Sequence, residues 1–335
     1  MSGSPLLPHK VRPPYPDTPG ILTFLGAPEG DVEHLEEGMV AVAGVSYDLS
    51  TTGRIGARFA PRAYRETSQY YASAFAQDEM VEIITGDRMR RARRLRLLDL
   101  GDLTVYPLDW ARTEVALREA IAKIAGRGAL PIILGGDQLV TAPLVQGFAA
   151  AVRERTGRGT GYIQFSSQLD LGEVDRAWGA VWRGTTARRI LDSGAVEPRN
   201  MAWIGTNGYL RLEDWEFAKK NELAVFPLEA VRRHGIVEVV ERAVETAGEG
   251  CAAIWVSIDF DVLDGGYVAM QSAPRFDGLT NTELLRAMDV LRRTKTGALG
   301  LVGLTPTVSM RSVAGQRFGV WLVIRFLANS ALASP

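Results

Sequence analysis

AAIWVSIDFDVLD, residues 252–264, is an apolar run that ends in three aspartates, and its reading decides the fold. A short apolar run bounded by turn-forming residues reads as a strand buried on both faces, so Asp259, Asp261 and Asp264 stand at or just past its carboxyl end. Similar runs ending in Gly, Asp or Ser recur at 39–46, 97–100, 130–134, 161–165, 201–205, 223–226 and 299–304, which makes about eight strands. Helical spacing fills the segments between them, at 113–126, 144–155, 231–246 and 315–332, and Thr280 followed by Glu283 opens another helix with a capping box. Strands alternating with helices give right-handed crossovers and a mostly parallel sheet covered on both faces. The expected fold class is therefore α/β, a three-layer α/β/α arrangement with an eight-stranded sheet. Chemistry in such sheets collects in the loops past the carboxyl ends of the strands, and polar clusters fall there at 135–138, 166–170 and 259–264.

Composition narrows the function. The chain has 335 residues, 46% hydrophobic, with 38 Lys and Arg against 39 Asp and Glu, so neither nucleic acid nor membrane is an indicated partner. No apolar stretch approaches the roughly 20 residues that cross a bilayer. Cys251 is the single cysteine, which excludes an intramolecular disulfide and a thiolate zinc cluster and fits a cytoplasmic setting. Five prolines among the first sixteen residues mark 1–20 as an extended arm, with 21–335 expected to form one domain. The basic run at 90–96 reads as a solvated lead-in to the strand that follows. Gly135-Gly136 reads as a tight turn, since no lysine follows as in a P-loop. His9, His34 and His234 are the only histidines and none adjoins Ser166 or Ser167, so a Ser-His-Asp triad is not indicated.

Four motifs carry a family resemblance. AGVSYDLSTTGRIGARFAPRAYRETSQYY at 43–71 is similar to a GVPYD strand end followed by RxGxRxGPxxIR; then come DLGD at 99–102, GGDQ at 135–138 and SIDFDVLD at 257–264. In order and spacing the chain resembles the ureohydrolase superfamily of arginases, agmatinases and formiminoglutamases. The resemblance implies an arginase-like α/β/α fold, assembly as trimers or hexamers or with a paralogue, and a small-molecule ligand. In that family two manganese ions share a hydroxide that attacks a guanidino or amidine carbon, because binding lowers the pKa of water from about 15.7 towards neutrality.

Position by position, the resemblance also implies a degenerate site. Gln138 stands for the histidine of GGDH. In the segment matching DAHxD, Ser166 stands for the first aspartate and Gln168 for the histidine, while Asp170 keeps the last aspartate. Asp259 and Asp261 keep the aspartates of SxDxD. Arg183, in the sequence Trp182-Arg183-Gly184-Thr185, replaces a substrate-loop histidine, and Arg275 replaces the glutamate that faces the guanidinium in relatives.

Two physical expectations follow for the candidate pocket residues Asp170, Asp259, Asp261, Arg183 and Arg275. One or both guanidinium groups occupy the place of metal and substrate and pair with the carboxylates, since buried carboxylates need compensation and Arg matches them bidentately. Alternatively one hard cation, Mg2+ or Ca2+, sits at Asp170, Asp259 and Asp261 with oxygens from Ser166, Gln138 and Gln168. Loss of the nitrogen donors argues against a manganese pair, so the expected cofactor is none, or that single cation. Gln138, Gln168, Ser166, Arg183, Arg275 and Trp182 would then line a cationic ligand pocket. Three readings stay open: a pseudo-ureohydrolase, alone or partnering an active paralogue; a repurposed metal-independent member binding a small metabolite; and an amidino C–N hydrolase with an altered metal site.

Overall fold

In the computed structural model, residues 22–75, 80–81, 88–89, 96–308 and 313–328 are described, so the expected arm at 1–20 and all of the basic run but Arg96 lie outside the described residues. The apolar runs become strands β1 Val40–Gly44, β2 Leu97–Asp102, β3 Leu130–Leu134, β4 Gly159–Phe165, β5 Met201–Thr206, β6 Ala224–Pro227, β7 Cys251–Asp259 and β8 Thr296–Val302. They form one eight-stranded sheet in the order β2-β1-β3-β8-β7-β4-β5-β6, parallel throughout. A short antiparallel pair, Met80–Val81 with Arg88–Met89, stands apart from it.

The helices are α1 Ala60–Phe75, α2 Trp110–Gly126, α3 Thr141–Thr156, α4 Thr186–Asp192, α5 Leu212–Lys220, α6 Leu228–His234, α7 Ile236–Gly248, α8 Asn281–Leu291 and α9 Ala314–Leu327. Two hydrophobic cores lie on opposite faces of the sheet, because successive strand residues point to alternate sides. Val42, Ile132, Ile163, Val256 and Leu299 face the layer of α1 and α6 to α9. Ala41, Ile133, Tyr162, Trp203 and Trp255 face α2 to α5. Where one helix was expected over 231–246 there are two, because Gly235, at φ 83°, ends α6 and begins α7. Thr280 and Glu283 close the anticipated capping box. Among the described residues no helix is long and apolar enough to cross a membrane.

Two motifs far apart in sequence meet at the sheet edge. Arg65, on α1, lies 3.0 Å from Asp99 and also bonds Asp102, while Asp99 accepts from the Phe24 and Gly101 amides. Asp99 is fully buried. Removing the guanidinium leaves that carboxylate without its counter-charge, which costs about 3 kcal/mol. Arg65→Ala is therefore expected to lower unfolding free energy by about that amount in urea titrations, with Arg65→Lys losing less.

Candidate functional site

The three polar clusters converge at the carboxyl ends of β3, β4 and β7. After β3, Gly135 and Gly136 both take left-handed backbone, at φ 81° and 82°, and turn the chain sharply enough to set Asp137 at the start of a short 3-10 turn. Asp137 accepts from the Ser50 amide at 3.0 Å, the Ser50 hydroxyl at 2.6 Å and the Leu139 amide at 3.1 Å. After β4 the backbone at Asp170 is also left-handed, at φ 54°. Its carbonyl accepts from the Ala187 and Arg188 amides, which fastens this loop to the start of α4. At the end of β7, Asp259 caps the turn Phe260–Val262 by accepting from the Asp261 amide at 2.9 Å. Gly303 passes so close that a Cβ there would strike Asp259 Oδ1.

Arg183 fills the centre. It is 7% exposed, follows β4's loop through a turn anchored by its own amide on the Ser50 carbonyl (3.1 Å), and places its guanidinium 3.2 Å from Asp261 Oδ2. Asp261 is further held by the Ser166 hydroxyl (3.1 Å), the Ser167 amide (3.0 Å) and the Ser167 hydroxyl (2.9 Å). Burial works against the charge on Arg183, but Asp259, then Asp261, Asp170 and Asp137, outweigh it and hold its pKa above the ordinary value. Burial pushes the carboxyl of Asp170 up to about 7, with Arg183 pulling it back and Asp261 adding to the rise. Burial likewise lifts Asp137 to about 6, against the bonds from Ser50 and Leu139. Asp259 is raised well above the usual carboxylate range by burial and by Asp261.

A buried polar chain runs beneath this cluster. The Tyr162 hydroxyl donates to Gln164 Oε1 at 2.8 Å, and Gln164 Nε2 donates to Asp170 Oδ2 at 2.7 Å. Alongside it both side-chain polar atoms of Gln138, the Ser257 hydroxyl and Asp259 Oδ2 are buried with no hydrogen-bond partner among the described residues.

Of the residues singled out from sequence, Asp170, Asp259, Asp261, Arg183 and Ser166 meet in this cluster. Gln138 is buried and its side chain lies near Tyr162. Gln168 is half-buried and donates to the Ser167 carbonyl, while Trp182 packs its ring on Gly184, with Arg211 5.2 Å from the ring centre. Arg275 does not join. Its amide bonds Gln271 and its backbone bridges Asp264, and no carboxylate among the described residues pairs with its guanidinium. Asp137 and Ser257 lie in motifs read from sequence but were not singled out, and Tyr162 and Gln164 were not anticipated. Their signal was available, since 162 with 164 and 257 with 259 are polar positions two apart inside apolar strands, hence on one face.

The comparisons fit this geometry. A profile of the arginase family matches residues 39–328. The chain belongs to the arginase family. Guanidinopropionase of Pseudomonas aeruginosa is 30% identical over 288 residues, covering 85% of this chain and 82% of that protein. Among solved structures, proclavaminate amidino hydrolase from Streptomyces clavuligerus superposes with a TM-score of 0.80 at 22% identity, covering 96% of this chain and all of that one. Trypanosoma cruzi formiminoglutamase with Mn2+2 gives 0.74 at 22% identity, covering 87% and 92%.

That last structure corrects an expectation. The expected cofactor was none, or one Mg2+ or Ca2+ at Asp170, Asp259 and Asp261, with a manganese pair argued against; a relative of the same family and fold is described with Mn2+2. The single-cation arrangement fails physically as well, because hydroxyl, amide and guanidinium donors take the oxygens of Asp261. Tested against manganese, the donors here do not fit a pair: amides stand at 138 and 168, a hydroxyl at 166, and Arg183 lies among the carboxylates.

Arg183→Ala should destabilise the fold by about 3–5 kcal/mol at pH 8, since it leaves several carboxyls in a low-dielectric site without their cation. The check is urea unfolding followed by circular dichroism, with added methylguanidinium recovering part of the loss. The pH dependence has a definite sign. Asp137 and Asp170 titrate higher in the fold than in the unfolded chain, so their contribution is fully present below about pH 4. It is lost as pH rises through about 6 and about 7. Between pH 5 and 8 these groups therefore make stability fall as pH rises, and Asp170→Asn should flatten that slope in unfolding free energies measured across the range.

Proposed function

We propose that this arginase-family protein is a pseudo-ureohydrolase, whose strand-end crevice is closed by its own Arg183. The observation that carries the reading is the buried guanidinium 3.2 Å from Asp261 and within electrostatic reach of Asp259, Asp170 and Asp137. A soluble guanidino compound needs the same acceptors, and would have to displace a tethered group of identical chemistry. Supporting it are the amides at Gln138 and Gln168, which cannot replace imidazole as nitrogen donors, and the absence of a carboxylate at Arg275. The protein is read as acting in the cytoplasm as a homo-oligomer, trimer or hexamer, or as the non-catalytic partner of an active paralogue. The test is release of urea or formamide from arginine, agmatine, 3-guanidinopropionate and formimidoylglutamate, with Mn2+ supplied. Rates at the level of buffer are expected, and turnover that depends on Mn2+ would sink the proposal.

One observation favours a second reading, a binding protein for a small metabolite. Among the described residues the buried Gln138 amide, Ser257 hydroxyl and Asp259 oxygen have no hydrogen-bond partner and lie beside a fixed cation, a set that a carboxylated ligand entering the cluster would satisfy. Thermal-shift titration with small carboxylates should then raise the melting temperature of the native protein and leave Arg183→Gln unmoved.

A further inference from the structure

The loops that leave the carboxyl ends of β1, β4, β5 and β7 are stitched into a closed ring around the Arg183 cluster. The Arg54 amide donates to the Ser272 carbonyl at 3.0 Å, the Asn207 side-chain amide donates to the Asp277 carbonyl, Arg211 pairs with Asp175 at 3.4 Å, and the Arg183 amide returns to the Ser50 carbonyl at 3.1 Å. Each loop holds the next, so their outer sides share one face, past the carboxyl edge of the sheet. That face is apolar. Ile55, Val174, Tyr209, Leu212, Tyr267 and Phe276, on the ring or at its junction with α5, are each more than half exposed, Tyr209 at 98% and Phe276 at 92%. More than half of the exposed large apolar side chains among the described residues stand on these loops. Single exposed apolar residues are ordinary, but a concentration of them marks an interaction surface. Side chains of this size expose on the order of 100–200 Å² each, so these six approach the roughly 800 Å² that one partner contributes to a standard interface.

Charge on the same loops is one-sided. Every carboxylate of the ring outside the central cluster is answered: Asp48 by Arg58, Glu173 by Arg188, Asp175 and Glu213 by Arg211, Asp277 by Arg232, and Asp264 by three backbone amides. Arg54, Arg176 and Arg275, on three different loops, have no carboxylate partner among the described residues. Bare rings and aliphatic groups interspersed with free guanidinium groups are the composition of protein interface centres, where aromatic residues and Arg are enriched. A second copy set face to face would oppose the same three cations to one another. A single-stranded nucleic acid would stack on the rings but make no use of Ile55, Val174 and Leu212.

We propose that this ring is a docking surface for another protein, which it engages through an acidic segment carrying apolar side chains. Carboxylates of that segment pair with Arg54, Arg176 and Arg275, and its apolar groups cover Tyr209, Phe276 and their neighbours. A partner seated there lies over the carboxyl edge of the sheet. The inference does not rest on the crevice being inactive, and urea release can appear or fail whatever the docking result.

The probe is a library of random peptides displayed on phage and selected on the immobilised full chain. Enrichment of Asp and Glu together with Trp, Phe or Leu is expected. The strongest sequence, synthesised with a fluorescein label, is then titrated by anisotropy and should bind with a dissociation constant that rises with salt. Combined Arg54→Glu, Arg176→Glu and Arg275→Glu should weaken it about tenfold or more, since like charges then face each other. Tyr209→Ser with Phe276→Ser should do the same by removing apolar anchors, about tenfold. The salt dependence, read on the native chain, decides the charge argument should a variant fail to fold. No enrichment, enrichment of basic or purely aliphatic sequences, affinity indifferent to salt, or a dissociation constant unmoved by both sets of substitutions would each overturn the proposal. So would oligouridine binding more tightly than the peptide, or self-association of the native chain that Phe276→Glu abolishes, because the face then belongs to nucleic acid or to a second copy.

Discussion

Several carboxyl groups delivered to one water-poor spot at the ends of adjacent strands must be compensated, and the centre of this molecule is organised by how that is done. Asp137, Asp170, Asp259 and Asp261 are all at most 3% exposed. In a medium of low effective dielectric, charges this close either find a counter-charge or take up protons. Both occur here: Arg183 supplies the cation, and burial lifts Asp170, Asp137 and Asp259 out of the usual carboxylate range. Hydrogen bonds do the rest for Asp261, whose two oxygens collect Ser166, Ser167 and Arg183.

The sheet makes the cluster unavoidable. Parallel strands send all their carboxyl ends to one edge, so the loops after β3, β4 and β7 have no other place to go. The left-handed glycines at 135 and 136 and the left-handed aspartate at 170 turn those loops inward. Gly303 leaves room for Asp259. Arg183 arrives from a turn held by the Ser50 carbonyl, and Asp170 in turn holds the first amides of α4. Cation and carboxylates therefore constrain one another through backbone as well as charge.

In relatives named for guanidino substrates, such as guanidinopropionase, the guanidino group belongs to a soluble molecule. Here a guanidinium belongs to the chain and is fixed among the carboxylates. A tethered group has already lost its translational freedom, so it competes with any soluble counterpart at an advantage. The polar chain from Tyr162 through Gln164 to Asp170 extends this network into the body of the sheet, where buried atoms of Gln138, Ser257 and Asp259 have no hydrogen-bond partner among the described residues.

The sequence by itself determined the eight strands, their order along the chain, and which strand-end loops would carry clustered polar residues, because burial on both faces writes a strand as a continuous apolar run and strand ends carry the turn residues. It also singled out Asp170, Asp259, Asp261 and Arg183, since motifs preserve their spacing, and the fold brings these four side chains together. It could not distinguish Arg183 from Arg275. Both are arginines in polar loops, and only the tertiary path brings one among the carboxylates and bonds the backbone of the other to Gln271 and Asp264. Nor could it reveal the break at Gly235, where one glycine's backbone ends a helix that periodicity would continue. The raised carboxyls likewise belong to the structure alone, for desolvation depends on neighbours from distant segments.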